Sequence, residues 1–324
     1  MQEATLYRHI LKDALSITWK NKILWLLGFL AVFWGDVGAY RSFNHALDNV
    51  GPHLPEKVAE AGSWSFPFEA LSFGGFASLM LVTLVIMMLS AGFIMLVTAG
   101  RGGLLYAIVK TQDKEKVKVR AMLSRGVQAF WPLLGIGIIS RLDIPLYMFL
   151  LAPLATGDAH PVKIVLFVSV FIILTIASLM LSLLGVYASL LVMLEGLPLM
   201  RAIRGALKIF AKNWLVSLEL ALILYFITVV VGLAVLLSFF VMSIPFLFVG
   251  ILLTLMKIQG AMWFVLIPAM VVYIAVLLLF GSAFVTFQYS AWTLLFLRLK
   301  TETAVSKVVR LTARFGSVLH RKID

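Results

Sequence analysis

The sequence predicts an all-α fold: a polytopic transmembrane helical bundle of about six spans, with interfacial amphipathic helices and a weak threefold repeat of helix pairs. Three observations carry that reading. Of 324 residues, 62% are hydrophobic and 13% charged, with a mean hydropathy of +1.05, whereas soluble domains run near 45–50% apolar and about 25% charged. Apolar runs long enough to cross a hydrocarbon core, about 20 residues each, recur along the chain. Basic residues alternate between the segments that join those runs. So much apolar surface requires a bilayer as its solvent.

Taken in order, the expected spans are 23–40, 74–98, 130–155, 162–194, 214–241 and 263–297. The third is interrupted by Arg141, Asp143 and Pro145, and the fourth and sixth exceed what a bilayer needs. Of the 27 Lys and Arg residues, 22 fall in the N-terminal segment, 99–129, 195–213 and the stretch from Arg298 onward. The segments between hold only Arg41, Lys57, Lys163 and Lys257. By the excess of basic residues in cytoplasmic loops, this split places both termini in the cytoplasm and the chain in the cytoplasmic (inner) cell membrane. No small-x-small cleavage site follows the first apolar run, so the spans themselves are expected to direct insertion. The stretch 242–261 is apolar but has no place as a further crossing. Within it, 246–256 are read as an outer-leaflet or half-inserted turn following Pro245, tolerable only if protein buries it.

The repeat is seen by laying ILKDALSITWKNKILWLLG (10–28), VRAMLSRGVQAFWPLLG (119–135) and MRAIRGALKIFAKNWLVSL (200–218) together. Each joins an amphipathic basic helix to an aromatic and an entering span; a long returning span follows. The units are about 5–110, 117–196 and 197–300 of a single integral membrane domain, with 301–324 a basic amphipathic tail. In the second unit Val119, Met122, Leu123, Val127 and Phe130 form an apolar stripe; in the third, Met200, Ile203, Leu207 and Phe210 do. Beside the latter run Arg201, Arg204, Lys208 and Lys212, and in the tail Lys307, Arg310, Arg314 and Arg321 repeat the design. A helix so patterned lies in the headgroup plane, apolar face down, its cations reaching lipid phosphate. Anionic headgroups are therefore the expected partners, with other membrane proteins as a further class and nucleic acid excluded, because the net charge of +12 resides in such helices.

The stretch YASLLVMLEGLPLMRAIRGALKIFAKNWLVSLELALIL (187–224) resembles the membrane region associated with bacterial glycerophosphoryl diester phosphodiesterases. Glu195 ending a returning span, Gly196, Ala202 in the amphipathic helix and Trp214 opening the next span follow that outline, and LSITWKNKILWLLGFLA (15–31) resembles the opening of such proteins. Arg204-Gly205-Ala206 departs from it, standing where the family often has a small polar residue after the basic one. The resemblance implies a membrane module without that family's soluble catalytic barrel.

Ionisable groups at membrane depth are candidate sites because each costs several kcal/mol unless partnered. Arg141 and Asp143 are read as a charge pair closing a helix break, or as a polar element lining a substrate path. Glu219 is read as partner to a basic residue of a neighbouring amphipathic helix, and Glu195 as a partner of Arg201 or Arg204. Gly102 and Gly103 in RGGLLYAIVK (101–110) are assigned to close helix packing, since the GK[ST] ending of a phosphate-binding loop is missing. Cysteine is absent and the five histidines share no helical turn, so neither metal nor cofactor is expected. With no HExxH or GxSxG pattern, the expectation is a non-catalytic protein that organises lipid, envelope components or partner membrane proteins. A transporter or channel using Arg141 and Asp143 and a lipid-modifying enzyme are the alternatives.

Overall fold

A computed structural model of the chain describes residues 6–32, 73–112, 115, 118–155, 161–256 and 261–301. Their regular structure is helical: α1 (Leu6–Lys20), α2 (Ile23–Val32), α3 (Phe73–Gln112), α4 (Val119–Gln128), α5 (Phe130–Ser140), α6 (Asp143–Ala155), α7 (Pro161–Glu195), α8 (Leu199–Leu255) and α9 (Ala261–Thr301). Among the described residues five helices are long and apolar enough to cross a membrane, or six if the bent pair α1–α2 is one span. The chain is thus a multi-pass membrane protein.

Its contacts divide it into two compact units, whose limits do not follow the repeats. One gathers α1, α2, α8 from Ala211 onward and α9; the other gathers α3 up to Tyr106, α4 from Arg120, α5 to α7 and α8 up to Phe210.

In the first unit, α1 buries Tyr7, Ile10, Ala14 and Ile17, a stripe at helical spacing, and its outer face carries Arg8, Lys12 and Lys20. The chain then bends by 107° into α2. Asn21 sets the bend: its side-chain amide donates to the Ile17 carbonyl at 3.0 Å. The Trp25 indole N–H donates to the Thr18 carbonyl at 2.9 Å, giving a carbonyl at the helix end a partner. The α2 helix lies against α9 through Gly28. A Cβ there would stand 3.3 Å from the Ser282 carbonyl carbon and nearer still to its oxygen and to the Thr286 hydroxyl. That hydroxyl donates to Ser282 at 2.8 Å and reaches the Leu24 carbonyl at 3.2 Å.

In the second unit, α4 crosses α3 glycine against backbone. A Cβ at Gly126 would lie 2.9 Å from the Ala99 Cα, and one at Gly103 2.8 Å from the Met122 carbonyl oxygen. Gly102 approaches the Gly126 Cα at 3.1 Å on the same measure, so the Gly102-Gly103 pair serves close packing. The third span breaks between α5 and α6, as its charges suggest, and α5 meets α7 where a Cβ on Gly185 would stand 3.3 Å from the Ser140 Cβ.

Each long helix is divided along its length. In α3, residues 76–96 are exposed on all sides, an apolar cylinder of about 32 Å at about 1.5 Å per residue; from Val97 to Ile108 every residue but Tyr106 is buried. In α7 the buried stretch is 185–192, and in α9 it extends from Gln288 to Phe296. A hydrocarbon core is about 30 Å thick. The exposed apolar length of α3 therefore matches the bilayer, and the remainder of that helix is buried in protein.

The same division corrects the reading of 242–261. The turn expected at 246–256 is helix instead: α8 continues through Pro245 to Leu255. Asn213, Val216, Ser217, Leu220 and Leu224 are buried, so one face of the first turns after the Asn213 kink meets protein. Trp214, Leu218, Leu222 and Phe226 are exposed on the other side, and exposed apolar residues continue through Pro245 to Leu255. Proline is tolerated inside membrane helices where neighbouring groups take up the freed carbonyl.

Candidate functional site

The segment of α8 that precedes the Asn213 kink has three faces. Ala202, Ala206 and Phe210 are buried against the protein, where Leu191 Cδ1 would stand 2.9 Å from a Cβ on Gly205. Next around the helix come Met200 and Leu207, 60% and 54% exposed. Beyond them Arg201, Arg204, Lys208 and Lys212 are all exposed. The expected apolar stripe is therefore divided: Phe210 docks inward, Ile203 is half-buried, and Met200 and Leu207 turn outward. The small Ala202 and Ala206 let the helix lie close, and Phe210 docks beside them. An exposed apolar strip flanked by four cations suits a membrane interface, with methylene stems over the acyl region and charges among phosphates. In α4 the same division leaves Met122 buried and Val127 exposed.

The polar groups of the third span are placed by the break. Arg141 is half-buried and ends α5, its N–H reaching the Ile138 carbonyl at 3.1 Å. Asp143 is half-buried and opens α6, with Oδ1 accepting from the Ile144 N–H at 3.0 Å. Its Oδ2 accepts the Ser178 hydroxyl of α7 at 2.6 Å. One turn on, the Tyr147 hydroxyl donates to Thr175 at 3.0 Å, and Tyr147 with Leu174 forms a small buried cluster. Asp143 thus ties the broken span to the helix behind it. Double-mutant coupling in such networks runs at about 0.5–3 kcal/mol. Asp143→Ala and Ser178→Ala should each lower thermal stability in detergent, and the double variant should lose less than the two losses added. Simple additivity would show that the bond contributes nothing.

Glu219 is half-buried and accepts a hydrogen bond from the Tyr7 hydroxyl. Tyr7 belongs to α1, a helix with one buried and one basic face. Glu195 is exposed at the end of α7, just before Gly196, whose φ of +64° places it in the left-handed region and stops the helix. Lys307, Arg310 and Arg314 lie outside the described residues. Among the described residues no three acidic or histidine side chains are grouped to hold a metal ion.

One residue that the linear pattern conceals is Arg101. It is fully buried, and its Nη2 donates to the Ser189 hydroxyl at 3.0 Å. Counted along the chain, it looks like one of seven basic residues of a loop. Among the described residues, Arg101, Tyr187 and Tyr289 are the largest fully buried side chains, and each is followed by two small residues: Gly102-Gly103, Ala188-Ser189 and Ser290-Ala291. Each stands in the buried section of a returning helix. The repeat thus includes a bulky polar side chain beside a small pair, a signal present in the sequence and recognisable once burial is known.

No family model matches the chain, and comparisons with curated proteins and with solved structures likewise give no match.

Proposed function

We propose that this chain is a non-catalytic, multi-pass protein of the cytoplasmic membrane that organises anionic lipid and partner membrane proteins at its basic surface, with both termini cytoplasmic. The observation that carries this reading is the three-faced segment 199–212, docked by alanines, apolar outward and cationic beyond. The outline shared with the membrane region of glycerophosphoryl diester phosphodiesterases supports it. The broken third span with Arg141 and Asp143 favours a second reading, a transporter, which proteoliposome flux lost in Asp143→Asn would support.

Each cation near an anionic surface contributes roughly 1 kcal/mol, screened by salt. Full-length protein extracted from vesicles holding equal phosphatidylglycerol and phosphatidylcholine should therefore retain several-fold more of the anionic lipid. The variant carrying Arg201→Glu, Arg204→Glu and Lys208→Glu should lose most of that preference, as should the parent in high salt. Equal retention of both lipids by the parent would overturn the reading.

A further inference from the structure

A cavity of about 590 Å³ lies between the halves of α8 and α9 farthest from the basic helices. Phe239, Met242, Phe246, Val265, Ala269 and Met270 are among its walls, and the lining is almost wholly apolar. Two contacts bracket its middle. Phe239 meets Tyr273 edge to face with ring centroids 4.5 Å apart, and a Cβ at Gly250 would stand 3.9 Å from Val265 Cγ1. Between those contacts each wall carries a proline, Pro245 and Pro268, where a ring replaces an N–H and opens the helical ladder. Ser243, Gly250 and Ala269 leave room by their small size. The Ser243 hydroxyl is turned to the Phe240 carbonyl at 2.8 Å, so it does not ask for water. Cavities lined in this way stay dry, and one that opens toward hydrocarbon fills with something apolar.

Shape decides what. The cavity runs along α8 from residue 239 to 255, about 24 Å at about 1.5 Å per residue. Spread over that length, its volume makes a groove narrower than a helix with its side chains, which is about 10–12 Å across. A single file of methylene groups, with neighbours at about 4 Å, fits. One leaflet is half of a core about 30 Å thick, so a lipid chain of ordinary reach is accommodated along its whole length. Met242 and Met270 supply the adaptable surface that a flexible chain requires. We propose that this cavity is a binding site for one acyl chain of a membrane lipid, held between α8 and α9. The site is independent of the basic helices and of any headgroup charge.

The test uses the full-length protein in nanodiscs of phosphatidylcholine bearing a diazirine on the acyl chain, a neutral lipid chosen so that failure of the anionic-lipid reading leaves this result untouched. After photolysis, peptides from 239–255 and 265–273 should carry at least fivefold more label than peptides from 76–96 of α3, which are equally apolar and exposed. Ala269→Trp and Ser243→Phe, which fill the cavity from opposite walls, should each remove most of that excess while melting close to the parent. Ser243→Phe carries the comparison if the larger tryptophan prevents folding. Label spread evenly over cavity and α3 in the parent protein overturns the proposal. So does an excess that survives in a well-folded filled variant, or protein-to-protein crosslinks through this face in place of lipid adducts.

Discussion

Adding one methyl group at Gly126 is expected to lower the melting temperature of the detergent-solubilised protein by several degrees, whereas the same change at Gly92 or Gly232 leaves it unchanged or raises it. At Gly126 the new Cβ would stand 2.7 Å from the Ala99 carbonyl carbon and 2.9 Å from its Cα, and closer still to the carbonyl oxygen. All three are backbone atoms of a neighbouring helix, so no side-chain rotation relieves the clash. The α4 helix must instead lift off α3, and Gly102 and Gly103, which make the approach from the other side, lose their contacts too. Overpacking of this kind costs about 1–3 kcal/mol, sometimes more, and each kcal/mol moves the midpoint of a larger chain by about 2–4 °C. Around Gly92 and Gly232 nothing lies within 4 Å of an added Cβ, and replacing glycine inside a helix by alanine gains up to about 1 kcal/mol. Thermal melts of Gly126→Ala, Gly92→Ala and Gly232→Ala settle the matter. Equal midpoints for all three would mean that α4 does not sit on α3 as described.

How much of this architecture is legible in the sequence depends on what hydropathy can register. The membrane class, the break at Arg141–Asp143 and the presence of basic amphipathic helices are legible because each is a local pattern of residue types. What hydropathy cannot register is the difference between apolar surface facing lipid and apolar surface facing protein. For that reason α8 was expected to leave the bilayer at Val241, although its continuation to Leu255 is as apolar as its start. The burial of Leu220 and Leu224, beside exposed Leu222 and Phe226, depends on tertiary packing that a count of apolar residues does not see. The division of the 199–212 stripe has the same cause: Ala202 and Phe210 face protein and Leu207 does not, yet all three count as apolar. Arg101 illustrates the converse case, a charge that composition assigns to solvent and tertiary structure places in the interior.

That interior position makes Arg101 the residue whose substitutions should differ most from one another. Its side chain has no exposed surface, and its guanidinium reaches Ser189 across from α3 to α7 at 3.0 Å. Two contributions can be separated, volume and charge. Arg101→Ala removes most of the volume and leaves a cavity between the two helices, a change that costs about 2–5 kcal/mol in cores. Arg101→Met keeps most of the volume and removes the charge. Because a thioether carries none of the desolvation cost of a buried guanidinium, this variant should melt near the parent. Arg101→Glu keeps a charge but inverts its sign in an environment organised around a cation. The outcome expected is failure to fold, since a buried charge deprived of its compensation costs about 3–5 kcal/mol. Ser189→Ala should have a small effect, as the hydroxyl also donates to the Gly185 carbonyl at 2.7 Å and its loss leaves that carbonyl with its helical partner. The order of stability should thus be Met above Ala above Glu, read from melting midpoints and from the fraction extracted as monodisperse protein. If Arg101→Met were as damaging as Arg101→Glu, the guanidinium itself, and not the space it fills, would be what the fold requires. Its recurrence as Tyr187 and Tyr289 in the other repeats argues for the space, because the only property the three side chains share is a long body with a polar tip.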